Sequence, residues 1–299
     1  MKRDLMPPHL RPLKILLLLA LSSCATDPVS ETPVSTVSGS RDSSRSGTLR
    51  LVTFNIHGIP FFTAGHRKRA AAIAKLVGAT HADVVAFQEA FHAPDRELMC
   101  DILAKAGLPY HHYFRSGAFG SGLLTVSRHP ITSTSFHQYS RGGNPLALRH
   151  ADWWAGKGAG LTKIAVPGSG GIRIINTHLH ARYRGDRYKA VRQSQLDELA
   201  AFVTSARSPH EPVFLLGDLN HTLSDPGWLR CIDSAGLTPV ADQLSRIDYI
   251  MAVRSPDFSF TQNESLPLKG SVRGPQGDIP ISDHTGVLGS VRIRANRTP

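Results

Sequence analysis

An α/β fold is predicted by three features of the chain. Residues 171–220 read as strand, loop, helix and strand. Several β-rich runs end abruptly in polar groups, and one-sided apolar helices lie between them. Ile172, Ile174 and Ile175 are β-branched and lead into Asn176, Thr177 and His178, so a buried strand ends where a polar cluster begins. From Asp186 to Val203 the residues Val191, Leu196, Leu199 and Phe202 fall near helical spacing, and Pro209 with Pro212 stop that helix. Val213 to Leu216 is then a continuous apolar run that delivers Asp218 and Asn220 through the turn at Gly217. Ligands of open α/β sheets bind off such strand ends, so an active site is expected there.

The 299 residues are enough for one large or two small domains with a sizeable core. Residues 1–23 read as a secretion signal. Lys2, Arg3, Arg11 and Lys14 precede the seven-residue apolar run Ile15 to Leu21, which is too short to span a bilayer as a helix. Leu21-Ser22-Ser23-Cys24 resembles a bacterial lipobox, which would make Cys24 the lipidated first residue of an exported, membrane-anchored chain; ordinary secretion with cleavage nearby is the other reading. Ala25 after the cysteine implies the outer membrane, if the source is Gram-negative. Residues 24–47 hold little besides Ser, Thr, Pro and Gly beyond scattered charges and valines, too little apolar surface to fold, and are expected to be a tether to a catalytic domain over 48–299.

Residues 1–24 carry four basic side chains and one acidic, so without them the formal charge of +11 becomes +8. That favours an anionic partner without choosing among phosphate, nucleic acid and lipid head group. Cys100 and Cys231 could pair in an oxidising compartment, but two cysteines in a large domain are more often simply buried.

Along the chain, strands are expected at Thr48–Asn55, Asp83–Gln88 and Leu123–Ser127, in a hairpin of Leu161–Val166 with the Ile172 strand, and at Arg246–Val253 and Gly286–Ile293. Helices are expected at His66–Gly78, with Ile73, Leu76 and Val77 on one side and Arg67, Lys68, Arg69 and Lys75 on the other, and at Asp95–Ala106 and Pro226–Ala235. The stretch from Tyr110 to the Leu123 strand reads as a Gly/Ser-rich loop, and Tyr139 to Gly160 as a long loop with Trp153 and Trp154, at the substrate mouth or plugging the core. Ile59 to Phe62 is a short apolar loop beside the first strand end, either core packing or a lipid-contacting lip.

The polar residues at strand ends are Asn55, Glu89, His178, Asp218, Asn220, Asp248, Asp283 and His284. These carboxylates, amides and imidazoles, without thiolates, suit Mg²⁺ or Mn²⁺. A carboxylate at a buried strand end costs several kcal/mol unless compensated, which makes Glu89 a metal-ligand candidate, with an ordinary salt bridge as its other reading. No Gly-x-Ser-x-Gly nucleophile motif is present. Water is then the expected nucleophile and His284 the expected base.

Phe54-Asn55, Gln88-Glu89, Asn176-Thr177-His178, Gly217-Asp218-Leu219-Asn220, Ile247-Asp248-Tyr249 and Ser282-Asp283-His284, in this order, resemble the endonuclease/exonuclease/phosphatase superfamily over about residues 48–293. Its neutral sphingomyelinase branch is also similar at Tyr113 to Gly117, Gly120 to Leu123, Ser127 to Ile131, Asp152 to Lys157 and Thr177 to Tyr183. The chain departs from animal members of that branch in having Ile56-His57 where they tend to have Cys-Trp, and it lacks their transmembrane segments.

The resemblance implies a four-layer sandwich of two packed, mostly antiparallel sheets flanked by helices, as in DNase I. It also implies Mg²⁺ held by Glu89 with Asn55, a second ion at or near Asp283, and His284 as base oriented by Asp248. Asp218 and Asn220 would position water and phosphate, His178 would stabilise the phosphorane, and Asp152 with Lys157 would act near the substrate. The expected activity is phospholipase C-type cleavage of sphingomyelin or a related choline phospholipid at a membrane surface, by a monomer. A secreted DNA or RNA endonuclease, for which Arg182, Arg184 and Arg187 would suit a phosphate backbone, and another phosphoesterase of the superfamily are the alternatives.

Overall fold

The computed structural model describes residues 46–59, 65–117, 120–142, 156–167, 170–182 and 188–296. Cys24, the signal and tether stretches up to residue 45, Asp152, Trp153, Trp154, Arg184 and Arg187 lie outside the described residues. The elements in chain order are β1 (Ser46–Asn55), α1 (His66–Gly78), β2 (Val84–Gln88), α2 (Ala93–Lys105), β3 (Tyr110–Tyr113), β4 (Leu124–Ser127), β5 (Ile131–Gln138), β6 (Gly158–Ile164) and β7 (Ile172–His178). There follow α3 (Lys189–Ser205), β8 (Val213–Asp218), α4 (Pro226–Ser234), β9 (Leu237–Pro239), β10 (Asp248–Val253), β11 (Phe258–Leu268), β12 (Ser271–Gly274), β13 (Gly277–Pro280) and β14 (Gly286–Ala295).

Two six-stranded sheets carry the fold, one in the order β11-β14-β1-β2-β4-β3 and the other β5-β6-β7-β8-β10-β9. Each has a single parallel pair at its centre, β1 with β2 and β7 with β8, and antiparallel pairs elsewhere. The central strands look like unbroken apolar runs because both of their faces are covered. In β1, Leu51 faces the second sheet, where it joins Ile174, Phe214, Leu216 and Ile250. The next residue, Val52, faces outward into a cluster with Ile73, Val77, Met99 and Leu103 of α1 and α2. On the far side Ile175, Leu215 and Met251 meet Leu196, Leu199 and Val203 of α3 and Trp228 of α4. The layers are therefore helix, sheet, sheet and helix, as expected.

Three local expectations need correction. Tyr110–Tyr113 forms strand β3 on the rim of the first sheet, where a loop was expected; its residues are exposed or half-buried, as an edge strand's are. Arg69 does not share the solvent side of α1. It is 5% exposed, and its Nε donates to the Ile281 carbonyl at 2.8 Å and its Nη2 to that of Ile56 at 3.0 Å. Helix α3 begins at Lys189 after Tyr188, a turn residue, while Asp186, where the helical spacing was read from, lies outside the described residues. Cys100 and Cys231 are both buried free thiols.

Candidate active site

Strand register builds the site. In the second sheet His178 at the end of β7 lies opposite Asp218 at the end of β8, and Asp218 lies opposite Asp248 at the start of β10. Residues paired across adjacent strands project from the same face, so these three form one row. Gly217 lets the row close, because a Cβ there would collide with the Thr177 carbonyl oxygen. In the first sheet Asn55 ends β1 opposite Gln88, and Glu89 follows directly. Below the rim the sheets are tied by buried amides: Gln88 Nε2 donates to Asn176 Oδ1 at 2.9 Å, and Asn176 Nδ2 donates to the carbonyls of Phe87 and Leu124, both at 3.2 Å.

Asn55 joins the two rows. Its Nδ2 donates to Glu89 Oε1 at 3.1 Å and to Asp218 Oδ2 at 3.0 Å, while its Oδ1 accepts the backbone N–H of His57 at 3.0 Å. Two carboxylates from different sheets are thereby held on one amide. His57, Glu89 and Asn220 have φ of 48°, 56° and 51°. Left-handed backbone at residues other than glycine costs about 1–2 kcal/mol each and concentrates where function dictates geometry.

His284 completes the row. Its Nδ1 lies 3.0 Å from Asp248 Oδ2 and its Nε2 3.6 Å from Asp218 Oδ2. The Ser245 hydroxyl donates to the same Asp248 Oδ2 at 2.5 Å. Ser282 fixes the other side, its Oγ donating to the Asn55 carbonyl at 2.7 Å and accepting the backbone N–H of His284 at 3.1 Å. Burial opposes the charged imidazole, but the hydrogen bond to Asp248 and the charges of Asp248, Asp218 and Asp283 outweigh it and raise His284 to about 9. Asp218 is raised to about 7, first by burial and then by the charge of Asp248. Without added positive charge, this pair holds more protons at neutral pH than free side chains would.

Asn220 donates its Nδ2 to the Leu179 carbonyl at 3.0 Å, and its backbone N–H goes to Asp218 Oδ1 at 3.0 Å. Lys157 is 5% exposed, with Nζ 3.0 Å from His178 Nε2 and 2.8 Å from the Leu179 carbonyl. Asp283 stands at the outer edge; its side chain is 58% exposed and lies 3.4 Å from His57 Nδ1. Of the residues expected to form the site, all but Asp152 are described, and all of these gather at this rim.

The donor set fits a hard divalent cation. Glu89 Oε2 and Asp248 Oδ1 are buried carboxylate oxygens without a hydrogen-bond partner among the described residues, a state that costs kcal/mol unless a cation or proton meets it. Burial raises Glu89 above the usual carboxylate range, and the Asn55 hydrogen bond offsets only part of that. Asp218, Asp248 and His284 also offer ligand atoms within 4.8 Å of one another. In that trio the facing atoms are already engaged through the imidazole, so Glu89 is the more open position.

Sequence reasoning gave no supporting role to three residues: Arg69, Ser245 and Ser282, the last of them named only within its motif. The two serines did carry a signal, since each stands two or three residues before a site residue whose backbone N–H it caps. Arg69 carried none, because nothing in a helical pattern tells a buried arginine from a solvated one.

The Endonuclease/Exonuclease/phosphatase family model matches residues 52–284. The chain is 32% identical over 271 residues to a Drosophila melanogaster protein provisionally named a neutral sphingomyelinase, covering 82% of this chain and 61% of that protein. To Sphingomyelin phosphodiesterase 2 of Homo sapiens it is 33% identical over 279 residues, covering 82% of this chain and 65% of the human one. The chain thus spans somewhat less than two thirds of the length of these relatives. A crystal structure of a Staphylococcus aureus beta toxin variant with bound magnesium ions superposes with a TM-score of 0.64 at 21% identity, over 81% of this chain and 99% of that one. With its strand-end motifs, its two packed sheets and this match in agreement, the chain belongs to the Endonuclease/Exonuclease/phosphatase family.

Proposed function

We propose that the chain is a Mg²⁺-dependent phosphodiesterase of phospholipase C type that cleaves sphingomyelin or a related choline phospholipid. One observation carries the chemistry: His284 sits between two buried carboxylates, 3.0 Å from Asp248 Oδ2, on the rim that also holds Glu89 Oε2, which has no hydrogen-bond partner among the described residues. The lipid substrate is supported by similarity to sphingomyelinases along most of the chain.

In this reading Glu89 and Asn55 would hold Mg²⁺, Asp283 would be the candidate for a second ion, and Mn²⁺ is the other hard cation the set would accept. When bound, the ion neutralises charge on the phosphate and on the departing alkoxide. In its neutral form, which a nearby cation's charge would favour over the imidazolium, His284 would take a proton from water at Nε2 while Asp248 holds Nδ1–H and fixes that tautomer. Asp218 and Asn220 position water and phosphate. His178, with the Lys157 ammonium beside it, faces the charge that builds on the phosphorane. Asp152 and Lys157 would contact the substrate at the mouth.

The sequence supports a further part of the proposal: a signal over 1–23, lipidation at Cys24, and a tether from residue 24 to the start of β1 at Ser46, holding a monomeric catalytic domain to a bacterial outer membrane. Labelling with radioactive palmitate in an expressing bacterium tests the anchor; Cys24→Ser should abolish the label.

Activity is tested by incubating the domain with Mg²⁺ and either sphingomyelin vesicles or supercoiled plasmid. Release of phosphocholine with intact plasmid is expected. Nicked plasmid without phosphocholine would replace the lipid reading with the endonuclease one.

A further inference from the structure

A second basic site lies beside the rim. A cavity of about 490 Å³ opens between the starts of α3 and α4, lined among others by Arg182, Lys189, Arg192, His221, Asp225 and Arg230. Its volume is in the range of pockets that take small ligands. None of its lining residues belongs to the set around Glu89, Asp248 and His284.

Its charge is unbalanced. Four cationic side chains face one carboxylate among the described lining residues, and that carboxylate is already committed. Asp225 Oδ2 accepts from Arg192 Nη2 at 3.1 Å and lies 2.7 Å from His221 Nδ1, while its Oδ1 caps α4 by accepting the Gly227 backbone N–H at 2.8 Å. No other carboxylate among the described residues pairs with Arg182, Lys189 or Arg230. Burial lowers the Arg192 guanidinium and the nearby Arg182 charge lowers it further, against the opposing pull of Asp225. Burial also holds His221 below its ordinary range, with Arg192 and Arg182 pushing the same way.

A bound anion would relieve this repulsion. The Arg192 side chain is only 12% exposed, and its Nε is buried without a hydrogen-bond partner among the described residues. A buried N–H left in that state is costly, and a guanidinium is the side chain best matched to phosphate oxygens. The cavity also adjoins the catalytic rim, since Arg192 Nη2 lies 3.4 Å from the Asn220 carbonyl.

We propose that this cavity is a phosphate-binding subsite, separate from the reacting centre, that takes a phosphate group carried free, on a small monoester or on a lipid head group. It is independent of the phospholipase reading, because either can fail while the other stands.

The test is an amide chemical-shift titration of the domain with inorganic phosphate, at fixed ionic strength and without divalent cations. Saturating shifts are expected at the amides of 188–193 and 222–230. The double variant Lys189→Ala with Arg230→Ala, both exposed positions, should weaken phosphate about tenfold or more while leaving the spectrum elsewhere unchanged. Absence of a saturating shift at these amides, or equal affinity in the double variant, would overturn the proposal. Co-sedimentation with phosphatidylcholine vesicles, with and without phosphatidic acid, then separates the sources. Selective loss of binding to phosphatidic acid in the double variant assigns a lipid head group, and unchanged sedimentation assigns a soluble phosphate.

Discussion

The Lys157 ammonium lies 3.0 Å from Nε2 of His178 and 2.8 Å from the Leu179 carbonyl oxygen. An ammonium has only protons to give, so the imidazole accepts at Nε2. The Asp218 carboxylate, 3.4 Å from the same nitrogen, is the longer and weaker contact. In this arrangement the lysine is a buried donor seated on His178, the residue to which the proposed mechanism gives the phosphorane charge. Lys157→Met should therefore lower kcat by roughly a hundred- to a thousandfold, the range for one lost electrostatic donor, with KM less affected. Lys157→Arg should recover part of it. Steady-state rates on sphingomyelin vesicles, with circular dichroism to confirm folding, decide this, and a normal kcat in Lys157→Met would remove the lysine from the mechanism.

Asp248 and His284 should behave as a unit. His284→Ala is expected to lower kcat by roughly two to four decades, and Asp248→Asn by a comparable amount, because an amide at that position favours the wrong tautomer. The double variant should be scarcely worse than either single one. Multiplying losses in the double variant would mean that the 3.0 Å contact between them has no part in turnover.

Metal-free protein should lose stability as pH rises. Asp218 is raised from 3.8 to about 7 and His284 from 6.5 to about 9, so over roughly pH 4 to 9 the folded state binds more protons at these two groups than the unfolded one, outweighing the lowered His66, His112 and His221. Stability falls with pH wherever that holds. For His284 the contribution is fully present below its unfolded value and is lost as pH passes through about 9. Thermal midpoints in EDTA should decline from pH 5 to pH 9, and Asp218→Asn should flatten the acid half of the decline. A midpoint that rises over this interval would contradict the raised values.

What the sequence made legible has a physical boundary. All eight interior strands of the two large sheets were readable, because burial on both faces makes them rich in apolar and small residues. The four edge strands of the two large sheets, β3, β5, β9 and β11, and the two strands of the separate β12-β13 hairpin were not. Ile131–Gln138 reads ITSTSFHQ and is largely exposed, so no hydrophobic period marks it. The rim residues were legible for the same reason as the interior strands, since Asn55, Glu89, His178 and Asp218 are where those apolar runs stop. Their connections were not. That one amide of Asn55 spans two carboxylates, or that Arg69 turns inward to hold the Ile56 and Ile281 carbonyls, follows from packing between segments far apart in the chain.

The central claim is that side chains from both sheets gather around a divalent cation, with Glu89 as the protein ligand that meets it. Isothermal titration of Mg²⁺ into the wild-type domain and into Glu89→Gln, run beside phosphocholine release as a function of Mg²⁺, tests this most directly. Saturable binding that weakens by tenfold or more in the variant, with the activity curve displaced to higher Mg²⁺ by a similar factor, is the expected result. Equal binding and superimposable activity curves for the two proteins would contradict it.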